Sequence, residues 1–249
     1  MMRIDIITIF PEMFREVFSS GTVKIARDKK LLDIAVHNLR DYTDNKHKKV
    51  DASPYGGGPG MVLQCQPIFR AVEKVKKLYS KSGKNIRTVL LSPQGKALTQ
   101  KEGRRLVKKK HLILICGRYE GVDERVREHL VDEEISIGDY ILSGGEIPAM
   151  VLVDCLARLI PGVPGNPDSV KDESFEKRLL DYPDYTKPGI FKGWRVPSVL
   201  LSGNHKRIKD WREKQALQRT MVRRPDLLLK DKRGQTPVTE GRRGRNTKS

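Results

Sequence analysis

Three short loops carry the residues best suited to grip a small ligand. They are Ser92-Pro93-Gln94-Gly95, Gly117-Arg118-Tyr119-Glu120-Gly121, and residues 137–148, which read IGDYILSGGEIP. Each follows an apolar run with the character of a buried strand: IRTVLL, HLILIC, and a shorter run over 134–137. In open α/β sheets ligands collect beyond the carboxyl ends of strands, so three such loops predict one shared pocket. Glycines there let backbone N–H and C=O groups approach a ligand with no Cβ in the way. A Gly-Gly pair or a GRYEG loop has many uses, however, and neither names a chemistry by itself. A fourth stretch, residues 41–60, combines Tyr55, a stacking face, with the run Gly56-Gly57-Gly58-Pro59-Gly60, which cannot be helix or central strand. Loops of this length inside a compact domain are usually functional or disordered, and a functional role is expected here.

The elements that must position these loops follow from hydrophobic period and breakers. Strands are predicted over 3–10, 32–36, 86–91, 111–116 and 134–137. Helices are predicted over 11–18, 67–79, 99–109, 122–130 and 146–160, the third opened by a capping-box pattern, Thr99 to Glu102. Strands alternating with helices argue for a parallel α/β sheet. Residues 161–188 hold five prolines without a sustained period and read as a linker. Beyond it, Asn204 can cap a helix to about residue 221, with Ile208 and Trp211 turned inward and Lys206, Arg207, Lys209, Arg212, Lys214 and Arg219 on the opposite face. A short helix is expected over 225–229. The last 19 residues, polar and rich in arginine and glycine, are expected to be disordered. The expected organisation is an α/β ligand-binding domain over 1–164, a flexible linker over 165–187, a helical domain over 188–230 and a basic tail over 231–249.

Composition bounds the partner. The 249 residues carry a formal net charge of +18, and from residue 186 onward 18 Lys/Arg stand against 5 Asp/Glu. So polarised a surplus points to a polyanion, with nucleic acid favoured. Cys65, Cys116 and Cys155 are odd in number and lack any C-x-x-C spacing, which excludes a disulfide framework and argues against zinc. Cys116 and Cys155 read as small core residues. No apolar run approaches the roughly 18 residues of a membrane span, and a cytoplasmic location is expected.

Taken together, SPQG, CGRYEGVDERV, SIGDYILSGGE and ARLIPGV, with YGGGPGM, ESFEKRLLDYP, YTKP, VPSVLLSGNH, WREKQALQRT and RRPDLL, closely resemble the bacterial tRNA (guanine-N1)-methyltransferases, the TrmD family of SPOUT methyltransferases. The match spans nearly all of residues 2–229. The resemblance implies methyl transfer from S-adenosylmethionine to N1 of guanine 37 of tRNA, beside the anticodon. It also implies a deep trefoil knot in the parallel sheet and a homodimer whose active sites draw on both subunits. The donor pocket it implies comprises Leu91, Ser92, Pro93, Gly117, Tyr119, Ile137, Gly138, Asp139, Tyr140, Ile141, Leu142, Gly144 and Gly145. Glu120 matches a glutamate tied to donor orientation and magnesium dependence, and Asp181 a position near the donor's amino group. Magnesium would be loosely held, since no cluster has structural-metal spacing.

The implied reaction needs a base for the N1 proton and a cation for charge developing on O6. Arg158, expected inward on the helix before Pro161, matches the family's arginine, although Glu146 and Asp154 could pair with it instead. The family's aspartate before Ser-Phe is here Glu173, with Asp172 one position earlier. The added methylene must be seated about 1.5 Å differently, one carbon–carbon length. Glu173 is favoured as the base, Asp172 is the reserve, and Ser169 also matches. Tyr55, Gly57 and Gly58 are candidate walls for the extruded guanine, and Lys206, Arg207, Arg212 and Arg219 candidate phosphate contacts. Ala52 departs from the family, which often has an acid there. The rival readings are a SPOUT enzyme acting on another RNA position and a non-catalytic RNA-binding protein that keeps a donor pocket.

Overall fold

The computed structural model describes residues 1–79, 86–165, 173–175 and 177–229, in two compact units, Met1–Val170 and Lys171–Ser249. In chain order the first unit holds β1 (Met2–Thr8), α1 (Arg15–Phe18), α2 (Gly21–Asp28), β2 (Leu32–Asn38), β3 (Asp51–Ala52), β4 (Val62–Leu63) and α3 (Cys65–Leu78). It continues through β5 (Ile86–Ala97), α4 (Gln100–Leu106), β6 (His111–Cys116), α5 (Glu124–His129), β7 (Glu133–Ser136) and α6 (Glu146–Leu159). A five-stranded sheet runs in the order β2-β1-β6-β5-β7, and every pairing in it is parallel. This is the parallel α/β sheet the strand–helix alternation predicts.

Both faces of the sheet are covered, as parallel sheets require. Leu112, Leu114 and Cys116 of β6 join Ile4 and Ile6 of β1 in a core closed by Val23 of α2, Leu106 of α4 and Leu152, Val153 and Leu156 of α6. Ile113 and Ile115 point the other way, into a core with Ile7, Ile68, Val72 and Val75 of α3, and Val126 of α5. All six residues of β6 are buried, so a continuous apolar run marks the central strand.

Four local departures from expectation have physical causes. The helix α2 was not predicted, because Val23 and Ala26 are its only buried residues and two apolar positions make a weak period. Within the expected loop 41–60, β3 pairs antiparallel with β4, making a short ribbon whose tip carries the glycine run. β5 continues past Leu91 to Ala97. Residues 92–95 bulge out of its ladder, so that Leu91 and Lys96 both pair with Ile135 of β7. An added Cβ at Gly95 would lie 2.4 Å from the Ile135 nitrogen, so only glycine lets the chain return to that edge. At α4 the Thr99 hydroxyl accepts from the Glu102 amide at 3.3 Å, but the Glu102 carboxylate turns to Lys96 and Arg105, leaving half of a capping box.

A charged cluster centred on Asp5 lies deep in the sheet. Asp5 of β1 is wholly buried and accepts from Arg3 Nε at 2.8 Å, and it sits 2.6 Å from His37 Nε2 and 2.7 Å from His111 Nε2. Arg3 also bonds Asp33 and lies over the Tyr79 ring at 4.7 Å. Burial pushes the Asp5 carboxyl up, but the hydrogen bonds from Arg3, His111 and His37 outweigh it and hold it well below the usual carboxylate range.

The second unit contains β8 (Ile190–Phe191), β9 (Trp194–Arg195), α7 (Ser198–Leu201) and α8 (His205–Arg223), followed by a single 3-10 turn, Pro225–Leu227. Asn204 caps α8 through its side-chain oxygen and the Arg207 amide, 3.1 Å. The described residues 173–175 and 177–187 pack on this helix. The Leu180 amide donates to Thr220 Oγ1 at 2.8 Å, and Arg178 reaches the Leu227 and Leu229 carbonyls. The basic face predicted for α8 is divided. Lys206, Arg207, Lys209, Arg212 and Lys214 are exposed, whereas Arg219 is half-buried; the Arg212 guanidinium lies over the Tyr182 ring at 4.6 Å. Arg212 and Arg219 share the side of the helix that holds half-buried Ile208 and Gln215, which the count of charges alone could not reveal. Asp172, Ser169 and the tail 231–249 lie outside the described residues.

Candidate active site

The adjacent strands β6, β5 and β7 end side by side, and the loops that leave them enclose a cavity of about 370 Å³. Leu91, Ser92 and Pro93 line it from the bulge of β5, and Gly117, Tyr119 and Glu120 from the loop after β6. Ile137, Gly138, Tyr140, Ile141 and Leu142 line it from the loop after β7, with Gly144 and Gly145 at the start of α6. Two predicted residues are not in this wall. Asp139 is exposed and outside the lining, and Asp181 belongs to the second unit, where its amide donates to Ser174 Oγ at 2.9 Å.

Gly145 has a packing role in addition to lining the cavity. Gly145 donates its amide to the Gly117 carbonyl at 2.8 Å, and a Cβ on it would lie 2.7 Å from Cys116 Cα. Its bareness lets the first turn of α6 press against the end of β6, which builds the cavity's wall before any ligand is considered. Tyr119, by contrast, holds a left-handed φ of 60°. For a non-glycine residue this conformation costs of order 1–3 kcal/mol and concentrates at ligand clamps.

Two arginines that sequence reasoning passed over also line the cavity. Arg118 bonds Glu146 at 3.3 Å and lies over the Phe10 ring at 4.4 Å. Glu146 is buried and takes a second hydrogen bond from the Thr8 hydroxyl at 2.8 Å, so it is committed to Arg118 and Thr8 rather than to Arg158. Arg127 of α5 bonds Gln94 Oε1 and reaches Ser92 Oγ at 3.4 Å, bracing the β5 bulge. Both partnerships join positions far apart in sequence, and no local pattern carried them. Burial, with Glu146 nearby, pushes the Cys116 thiol well above its ordinary value, so this cysteine is inert.

The glycine-rich ribbon is tied to the same cavity. The Glu120 amide donates to the Met61 carbonyl at 3.0 Å, Leu63 to Gly121 at 3.0 Å and Asp123 to Leu63 at 2.9 Å. Tyr55, Gly57 and Gly58 at its tip are exposed.

Arg158 corrects an expectation: its side chain faces outward on α6, not inward. Leu152, Val153, Leu156 and Ala157 take the buried side, and Ile147, Val151, Asp154 and Arg158 form the outward stripe at helical spacing. Arg158, Asp154 and half-buried Cys155 line a second hollow of about 440 Å³ with Val17, Gln100, Met150 and Val151. Glu173 is half-buried in the second unit.

The first cavity combines apolar walls, Leu91, Ile135, Leu142 and Pro148, with backbone at three strand ends and one carboxylate, Glu120. Its volume falls in the range of small-ligand sites. Apolar walls suit a flat ring, and loop backbone supplies the donors and acceptors that read its edge.

Comparison with known proteins agrees with this architecture. The family model described as tRNA (Guanine-1)-methyltransferase TrmD matches residues 2–230. A tRNA (guanine-N(1)-)-methyltransferase of Dictyoglomus turgidum is 57% identical over 230 residues, covering 92% of this chain and 91% of the relative. Proteins of the same name from Geobacillus kaustophilus and Bacillus cereus are 56% and 54% identical over 227 residues, covering 91% of this chain and 91% and 92% of theirs. With a family model matched along almost its whole length and relatives of this identity, the chain belongs to the TrmD family of tRNA (guanine-1)-methyltransferases.

Proposed function

We propose that the protein transfers a methyl group from S-adenosylmethionine to N1 of guanine 37 in tRNA, next to the anticodon. The observation that carries this reading is the strand-end cavity, whose lining coincides with the loops that mark the family. S-adenosylmethionine would supply an electrophilic methyl group on a sulfonium. Leu91, Ser92, Pro93, Gly117, Tyr119, Ile137, Gly138, Tyr140, Ile141 and Leu142 would hold it, and Gly144 and Gly145 keep the wall close. Glu173 takes the proton from guanine N1, which leaves that nitrogen its lone pair for attack. Asp172 is the alternative base, Ser169 assists it, and Asp181 would stand near the donor's amino group. Arg158 holds the charge that gathers on O6 as the proton leaves. Any Mg2+ is held loosely, with Glu120 as the protein's carboxylate. Among the described residues no group of three or more His, Cys, Asp or Glu could hold a metal.

In this reading the sheet carries a trefoil knot and two subunits pair. Ile147 and Val151, apolar and outward on α6 beside Arg158, support a subunit interface there that contributes to the site. The chain divides into a donor-binding part over 1–164, a segment over 165–187 carrying the base, a tRNA-binding part over 188–230 and a tail over 231–249. The exposed Lys206, Arg207 and Arg212, with half-buried Arg219, meet phosphates, while Tyr55, Gly57 and Gly58 border the extruded base. No helix among the described residues is long and apolar enough to cross a membrane, and the cytoplasm is the proposed location.

Incubation with methyl-labelled donor and tRNA transcripts bearing G or A at position 37 tests the reading. Label is expected at N1 of G37 and absent from the A37 transcript. Transfer to the A37 transcript, or to neither, would overturn it.

A further inference from the structure

The second unit displays two aromatic rings that the described residues leave more than half exposed. Phe191 of β8 and Trp194 of β9 are paired across the two-stranded ribbon, so their side chains share one face, with ring centroids 6.1 Å apart. Phe191 is 55% exposed and Trp194 70% exposed. The turn between them, Lys192-Gly193, holds φ of 50° and 86°, the left-handed pair that a two-residue hairpin of this twist demands. A ribbon with two residues per strand is marginal by itself, and here it holds its large rings out rather than burying them. Isolated exposed apolar residues are ordinary, but an aligned aromatic pair at a hairpin tip calls for a partner.

The charges around the pair indicate which partner. Residues 187–197 include Lys187, Lys192 and Arg195 and no acid. All three cations are exposed, and Lys192 Nζ lies 5.6 Å from the centre of the Phe191 ring. Aromatic faces flanked by cations are how proteins hold unpaired nucleotides: bases stack on the rings and phosphates meet the charges. An apolar protein surface pressed onto the same tip would have to bury Lys192 without a counter-charge.

We propose that the Phe191–Trp194 hairpin is a stacking platform for unpaired bases of the tRNA substrate, with Lys187, Lys192 and Arg195 on the adjoining phosphates. The proposal rests on the tRNA methyltransferase reading above and adds a contact distinct from the phosphate-binding positions of α8. Loss of a contact to the RNA alone should weaken tRNA binding and spare the donor.

The test pairs binding with fluorescence in the full-length protein. Trp194→Ala should raise the Kd for tRNA about tenfold, within the range for losing one stacked base, and leave the KM for S-adenosylmethionine unchanged. Trp194→Tyr, which keeps a ring, should restore most of the affinity. The chain has two tryptophans, so in a Trp211→Phe background the emission of Trp194 can be followed alone, and tRNA should quench it. Native Kd in Trp194→Ala, or unquenched emission on saturation, would overturn the platform. So would a Trp194→Ala protein whose only change is a smaller sedimenting species, which would assign the rings to a contact between copies. If the native protein binds no tRNA, the underlying reading falls with it. If the native protein binds and the alanine variant binds equally well, the platform alone falls.

Discussion

Glu173→Gln is expected to lower kcat for tRNA methylation by roughly 10²- to 10⁴-fold, the usual contribution of a positioned general base. The amide keeps the size of the side chain but cannot take the N1 proton, so the loss should fall on the chemical step and not on assembly. Glu173 belongs to the second unit and is half-buried there. S-adenosylmethionine is expected to bind the near-isosteric variant as it binds the native protein, measured by calorimetry alongside single-turnover rates. An unchanged single-turnover rate would move the role to Asp172. Loss of donor binding in parallel with rate would instead mean that Glu173 supports the cavity.

Asp5→Asn should lower the stability of the first unit by about 3 kcal/mol, because removing one partner of a buried ionic cluster strands the others. Arg3, His37 and His111 all converge on this carboxylate, and Arg3 and His111 are largely buried themselves. In thermal unfolding near neutral pH the expected loss is roughly 10 °C. The acid response follows from the depressed native carboxyl. Above the unfolded-state value, about 3.9, the Asp5 contribution is fully present. As pH falls below it, the unfolded chain takes up the proton while the native state resists, so the native protein loses this stability progressively. The gap between native protein and Asp5→Asn should narrow below about pH 4. A variant that melts with the native protein at pH 7 would show that the cluster is decorative.

The sheet and the cavity were legible for one reason: both are written in contiguous residues. HLILIC announces a strand buried on two faces, and the glycine loops that follow three such strands fall together because parallel strands end on the same side. Less legible was anything that joins distant positions. Asp5 meets His111 from 106 residues away, and Thr8 meets Glu146 from 138 residues away, and neither pairing leaves a local signature. Arg158 was misdirected for another reason. α6 is apolar on almost every side, including outward Ile147 and Val151, so its period does not say which face is buried. The Gly-Gly pair was read for ligand access alone, whereas the approach of α6 to β6 independently requires Gly145. The β8–β9 ribbon escaped notice because Lys-Gly is a poorer turn signal than Asn-Gly and each strand is only two residues long.

Crystallisation with S-adenosylmethionine would locate the donor. Its density is expected in the cavity between residues 91–93, 117–120 and 137–145, the ring against Leu91, Ile135 and Leu142. Donor density anywhere else on the molecule, with that cavity vacant, would contradict that placement.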